Sequence, residues 1–120
     1  MHLRDILKVV KAQPLTAEPD LNLEVRSGFA SDLMSDVLRY DVTHGLLVTG
    51  LANPQIVRTA EVADIAAILL VRGKVPQPET ITLAQEIGIP IVGTELIMFE
   101  TCGRLYAAGL LACGKRDGHS

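Results

Sequence analysis

The chain has no tryptophan, and its two tyrosines and two phenylalanines make up 3% of 120 residues. A core built around aromatic rings is excluded. With 48% hydrophobic residues, the core must be aliphatic, packed from Leu, Ile, Val and Ala. An excess of basic charge is also missing. Lys plus Arg total 11 against 14 Asp plus Glu, a net charge of −3, so no basic stripe for nucleic acid is expected. No apolar run approaches the ~18 residues that span a bilayer. Residues 1–11 carry Asp5 and no long apolar stretch, so neither a membrane segment nor a signal peptide is expected. The two cysteines, Cys102 and Cys113, lack C-x-x-C spacing. They read as reduced thiols of a cytoplasmic protein rather than a disulfide framework.

Catalytic signatures are scarce too. The Gly-Lys pairs, Gly73-Lys74 and Gly114-Lys115, are not followed by the Ser or Thr of a phosphate loop. The histidines His2, His44 and His119 are scattered and form no H-x-x-x-H pair. No Cys, His or carboxylate set has metal-ligand spacing, so no metal site and no catalytic residue is assigned. The cofactor is left unknown.

What is present is a strand and helix rhythm. Residues 46–49 (Leu-Leu-Val-Thr) read as a strand closed by Gly50, with Asn53 at a helix N-cap and Pro54 at the first helical position. That helix runs to about Asp64. The continuous apolar run at 66–71 fits a strand covered on both faces. The turn Arg72-Gly73-Lys74 follows, then a helix between Pro78 and Gly88 that buries Ile81, Ala84 and Ile87. A strand at 89–92 leads to Thr94, read as the cap of a last helix with Glu95 in its first turn, ending at Gly109. Short alternating elements of this kind predict an α/β fold: a mainly parallel sheet with helices on both faces.

The N-terminal third reads differently. Leu3, Ile6, Leu7 and Val10 form one helical stripe, ended by Gln13-Pro14. The alternation around Leu23, Glu24, Val25 and Arg26 predicts a short strand, and Ser27-Gly28 a turn. Ser31 is expected to cap a helix carrying Asp32 in its first turn and burying Leu33, Met34, Val37 and Leu38. The expected domain spans residues 1–112, with 113–120 as a flexible polar tail.

In open α/β sheets, ligands sit beyond the carboxyl ends of the strands. Thr49, Gly50, Asn53, Arg72, Gly73, Lys74 and Thr94 should gather there, with Arg58 reaching the same side. Hydroxyls, two or three cations and the free amides of the first loop suit a nucleotide phosphate or another small anion. The competing reading assigns Gly50, Asn53 and Pro54 to turn and cap, and Arg72 and Lys74 to solvated loop charge. Other candidates have plainer explanations. Asp32 and Asp36, one turn apart, suit a cation or the positive end of a helix dipole. Cys102 is a nucleophile only with a histidine partner, and otherwise a small packed residue. His44 fits a solvated turn.

Four strings carry a family resemblance. They lie at 29–37 (Phe-Ala-Ser-Asp-Leu-Met-Ser-Asp-Val), 48–60, 71–76 (Val-Arg-Gly-Lys-Val-Pro) and 98–106. Together they resemble the DRTGG-domain family over roughly residues 1–110, although the string that names the family is absent. The resemblance implies an α/β domain similar to the N-terminal domain of HPr kinase/phosphorylase, which is not the kinase domain. It implies a regulatory or dimerising module. Stand-alone members are encoded near iron-only hydrogenase genes, which implies a protein partner from a hydrogenase or electron-transfer system. Three functions stay open: a non-catalytic, homodimeric regulatory or adaptor domain; a sensor for an adenine nucleotide or other phosphate-containing anion; and a phosphoryl- or acyl-transfer enzyme component. The apolar residues Leu96, Ile97, Met98, Phe99, Leu105 and Tyr106 exceed what one helix face can bury. A homodimer about the last or the first helix is therefore expected.

Overall fold

Three strands with no polar exterior set the architecture. β4 (Leu46–Thr49) and β5 (Ala67–Leu70) are buried along their whole length, and Ile91 and Val92 of β6 (Ile91–Gly93) are buried beside them. They pair in parallel, Leu46 with Ala67 through Thr49 with Leu70, and Ile68 with Ile91 through Leu70 with Gly93. Successive side chains in a strand point to opposite faces, so the buried run divides into two cores. Leu46, Val48, Leu69, Val71 and Val92 pack with Leu3, Ile6 and Val10 of the α1 stripe (α1, Leu3–Val9) and Leu105 of α5 (Met98–Ala107). Leu47, Ile68, Leu70 and Ile91 pack with Ile56, Val57 and Ala60 of α3 (Pro54–Val62), Ala84 of α4 (Pro78–Ile87) and Val37 of α2 (Met34–Val37). The computed structural model describes residues 1–115. Among the described residues, no helix is long and apolar enough to cross a membrane.

The expected mainly parallel sheet with helices on both faces is what the chain forms. Its strand order is β1-β6-β5-β4-β2, with β1 (Gln13–Pro14) antiparallel at one edge and β2 (Gly28–Ala30) parallel at the other. The core is aliphatic, as the composition requires. Phe29 is half-buried against Tyr40, their ring centroids 5.1 Å apart, and Phe99 and Tyr106 are exposed. Gly88, at φ +90°, ends α4 in the left-handed conformation that glycine adopts without cost.

The N-terminal third departs from the sequence reading in five places. Residues 23–26 are not a strand. Val25 is buried, but its N–H donates to the Met1 carbonyl, and the backbone pairing of Glu24 is an isolated bridge with His2. The parallel strand is instead β2, and Ser27-Gly28 enters it rather than turning. Gln13-Pro14 does more than end a helix: it pairs with Gly93 and Val92 at a sheet edge, where a proline's missing N–H is tolerated. Ser31 accepts the Leu33 N–H in a local turn, 2.9 Å, so α2 starts three residues later and Asp32 lies outside it. Asp32 and Asp36 therefore do not share a helix face. Of the expected α2 stripe only Val37 is buried, and Leu33 and Leu38 are exposed.

Two corrections fall near the C-terminus. Thr94 does not cap α5, whose N-cap is Ile97. Order also continues into the expected tail. The Cys113 N–H donates to the Gly28 carbonyl, and β7 (Gly114–Lys115) pairs antiparallel with β3 (Tyr40–Asp41). The rest of the expected tail lies outside the described residues.

Leu69 is fully buried at the centre of the sheet. Leu69→Ala should cost about 2–5 kcal/mol by lost burial and cavity. Val75→Ala, at a position 83% exposed, should stay within about 0.5 kcal/mol of wild type. Urea denaturation of both variants checks the placement of the core.

Candidate functional site

Parallel pairing brings the carboxyl ends of β2, β4, β5 and β6 to one edge of the sheet. Asp32 follows β2, Gly50 follows β4, the turn at 72–74 follows β5, and Thr94 follows β6. Asp32 organises the first two. One carboxylate oxygen, Oδ1, accepts the Thr49 hydroxyl at 2.9 Å and the Gly50 N–H at 2.7 Å. The other, Oδ2, stands 4.0 Å from Nη2 of Arg72. Asp32 and Arg72 are 46% and 48% exposed, so the ion pair itself adds little stability. The hydrogen bonds, not the charge, hold Asp32 in place.

The Arg72 guanidinium lies directly over Gly50. A Cβ built there would crowd Nη2, so a larger residue would push the end of this arginine aside. The turn beyond is held by its backbone. The Arg72 N–H donates to the Leu96 carbonyl, the Gly73 N–H to the Thr94 carbonyl and the Lys74 N–H to the Val71 carbonyl. Arg72 and Gly73 both have positive φ, +60° and +65°.

The predicted site residues fare differently. Thr49, Gly50 and Arg72 are brought together around Asp32. Gly73, Lys74 and Thr94 line an adjoining cleft of about 310 Å³. Asn53 is the N-cap of α3, but its side chain makes no cap hydrogen bond, and its buried Oδ1 has no partner among the described residues. Arg58 is exposed on α3, with no hydrogen bond or ion pair among the described residues, and nothing holds it against the others. The Thr94 hydroxyl is not available to a ligand. It is buried, donates to the Val10 carbonyl at 2.6 Å and accepts the Leu96 N–H at 3.2 Å.

The first loop is less open than its glycine implied. The Gly50 amide is taken by Asp32 and the Leu51 amide by Thr49 Oγ1 at 3.2 Å. The amides of Ala52 and Asn53 remain. The sequence reading missed Asp32 as a site residue because it placed Asp32 inside a helix. The available signal was the string Phe29-Ala30-Ser31: read as a strand, it puts Asp32 at a strand's carboxyl end, level with Gly50 and Arg72.

Two alternative chemistries find no support in the geometry. Gly109 and Gly114-Lys115 have the glycine spacing of a phosphate loop, with Arg116 in place of Ser or Thr. They follow α5, however, and Gly114–Lys115 is a sheet strand rather than a loop entering a helix. The cysteines are poor nucleophiles. Burial pushes both thiols above the ordinary cysteine value. At Cys113 a backbone hydrogen bond opposes the rise and the Asp41 charge adds to it. Both thiols stay protonated at neutral pH, and Cys102 packs against the α1/α5 core.

No family model and no curated protein matches the chain. A solved structure does: the CBS and DRTGG domains of the regulatory region of a Clostridium perfringens pyrophosphatase, complexed with the activator diadenosine tetraphosphate. The TM-score is 0.68 at 14% identity, over 99% of this chain and 53% of that one. The fold is DRTGG/CBS-like. The chain spans about half the length of that neighbour, and at this identity the likeness concerns the fold alone.

Asp32→Ala leaves the buried Gly50 N–H and Thr49 hydroxyl without their acceptor. It should destabilise by about 1–3 kcal/mol. Asp32→Asn keeps an acceptor oxygen and should lose less. Equal losses in the two variants, measured by urea denaturation, would show that these hydrogen bonds do not hold the loop.

Proposed function

We propose that the chain is a non-catalytic regulatory domain that binds a phosphate-bearing nucleotide at the carboxyl ends of its strands and acts as a homodimer. The observation that carries the reading is the half-exposed Asp32–Arg72 pair, two opposite charges side by side at the place where open α/β sheets bind ligands. A bare anion would meet the Asp32 carboxylate. A nucleotide offers both complements: phosphate to Arg72 and Lys74, and ribose hydroxyls to Oδ2 of Asp32. Charge-assisted hydrogen bonds of these two kinds are the strong ones. The Thr49 hydroxyl is fully buried and bridges Asp32 and Leu51. In this reading it shapes the loop and performs no chemistry. The solved structure of similar fold is a regulatory region bound to an adenine-containing activator, which supports an adenine nucleotide as the first ligand to test. A protein partner from a hydrogenase or electron-transfer system belongs to the proposal on the family resemblance alone.

Adenine nucleotides should raise the thermal stability of the protein. At 100 times the dissociation constant, a ligand adds about 2.7 kcal/mol. The double variant Arg72→Ala, Lys74→Ala should fold normally and lose this stabilisation. Stabilisation that persists unchanged in the double variant places the ligand elsewhere.

The homodimer rests on apolar surface. The α1 stripe is used inside the monomer: Leu3, Ile6 and Val10 are fully buried. The surplus lies on and beside α5, where Phe99 is 86% exposed, Tyr106 66%, Leu111 63% and Ile97 58%. A patch of this kind marks an interface more often than a bare surface, and two-fold dimers are the commonest assemblies. Light scattering should give about twice the chain mass of 12.9 kDa, and Phe99→Glu with Tyr106→Glu should return it to the single mass. A monomer at micromolar wild-type concentration removes the dimer. A dimer indifferent to both substitutions moves the interface off α5.

A further inference from the structure

The cleft beside the Arg72 site has cations of its own. Lys11 and Lys74 line it together with Gln13, Thr94 and Glu95. Neither lysine has an ion-pair or hydrogen-bond partner for its ammonium group among the described residues, and the carboxylate of Glu95, which also lines the cleft, stands against Gly73. One residue ties down the backbone just before each lysine. The Thr94 hydroxyl holds the Val10 carbonyl at 2.6 Å, immediately before Lys11. The Thr94 carbonyl takes the Gly73 N–H at 2.9 Å, immediately before Lys74. Thr94, just beyond β6, thus ties both cationic segments to the same place.

The backbone at Lys11 is a second, independent observation. Lys11 closes α1 at φ +53°, where the Ala12 N–H turns back to the Leu7 carbonyl. This is the left-handed position after a helix that glycine fills most easily. Arg72 is likewise left-handed, at φ +60°. Non-glycine residues in this conformation carry a backbone cost, and such strain gathers at functional sites. Lys11 and Arg72 are two of five non-glycine residues at positive φ among the described residues, with Glu18, His44 and Asp64, and these two stand in adjoining sites. Arg72 and Lys74 are two residues apart, so their Cα atoms are at most about 7 Å apart, a span that a di- or triphosphate covers.

We infer that the Lys11–Lys74 cleft is a second anion subsite, so that the ligand is a nucleotide with an extended phosphate chain running across the turn at 72–74 from Arg72 to Lys11. The inference rests on the nucleotide reading of the Arg72 site and extends it. The nucleoside and its first phosphate lie by Asp32 and Arg72. The distal phosphates lie between Lys74 and Lys11, and Thr94 is a positioning residue that touches no ligand.

Calorimetric titration of the full chain with inorganic phosphate and inorganic tripolyphosphate tests it. Wild type should bind tripolyphosphate at least about tenfold more tightly than phosphate. Lys11→Gly should remove most of that difference while leaving thermal stability equal or higher, because glycine relieves the backbone at this position. Lys74→Ala should weaken tripolyphosphate binding in the same way. The subsite is overturned if wild type does not prefer tripolyphosphate, or if Lys11→Gly and Lys74→Ala both bind it as wild type does. The nucleotide reading is read out separately with AMP. If AMP gives no Arg72-dependent stabilisation while tripolyphosphate binding still depends on Lys11, the subsite stands and the nucleoside site falls. If tripolyphosphate binding depends on Arg72 alone, the subsite falls and the first site stands.

Discussion

Complete burial of three adjacent parallel strands is the constraint from which the rest of the molecule follows. With apolar side chains on both faces of β4, β5 and β6, helices must cover both faces, and the connections between parallel strands must cross over through those helices. Polar groups are then driven to the strand ends. At the carboxyl ends the chain must leave an apolar sheet within a residue or two, and the backbone amides freed there need acceptors. Thr49 and Thr94 stand at these exits. Each is buried, and each uses its hydroxyl to tie a loop to a neighbouring segment.

These ties give the candidate site its form. Asp32 closes the loop after β4 by taking the Thr49 hydroxyl and the Gly50 amide on one oxygen, which turns its second oxygen toward Arg72. The absence of a side chain at Gly50 leaves room for the guanidinium beside the backbone. Gly73 leaves similar room on the other side of the turn, where a Cβ would crowd Oε2 of Glu95. A Cβ at either position would displace the far end of a flexible charged side chain, and at Gly73 the positive φ favours glycine as well. A carboxylate and several cations at one end of the sheet suit a ligand that is itself both hydroxylated and phosphorylated.

The few aromatic residues have a related distribution. None is fully buried, and the half-buried Phe29 packs against the core under α3 and α4. Phe29 and Tyr40 pack on each other near the β2 edge, and Phe99 and Tyr106 project from α5. Aliphatic side chains fill the space between a twisted sheet and its helices, which leaves the aromatics for the surface, where their large apolar area favours contact with another molecule.

The sequence by itself determined the central sheet. The runs at 46–49 and 66–71, the Asn53-Pro54 helix start and the Gly88 stop are local signals, and local physics sufficed to read them. It also brought out Thr49, Gly50, Arg72 and Lys74 as candidates, because each ends or closely follows such a run. What only the tertiary structure decided depended on partners distant in the chain. Gly28-Phe29-Ala30 is a strand because β4 offers it an edge, not because of its composition. Pro14 lies in a strand because β6 needs an edge partner. Asp32 became the centre of the site through hydrogen bonds to residues 17 and 18 positions away, and Thr94 became a brace through Val10, 84 positions away. Periodicity reports which residues face a core, whereas the choice between capping a helix and bridging two loops depends on what lies within hydrogen-bond reach once the chain has folded.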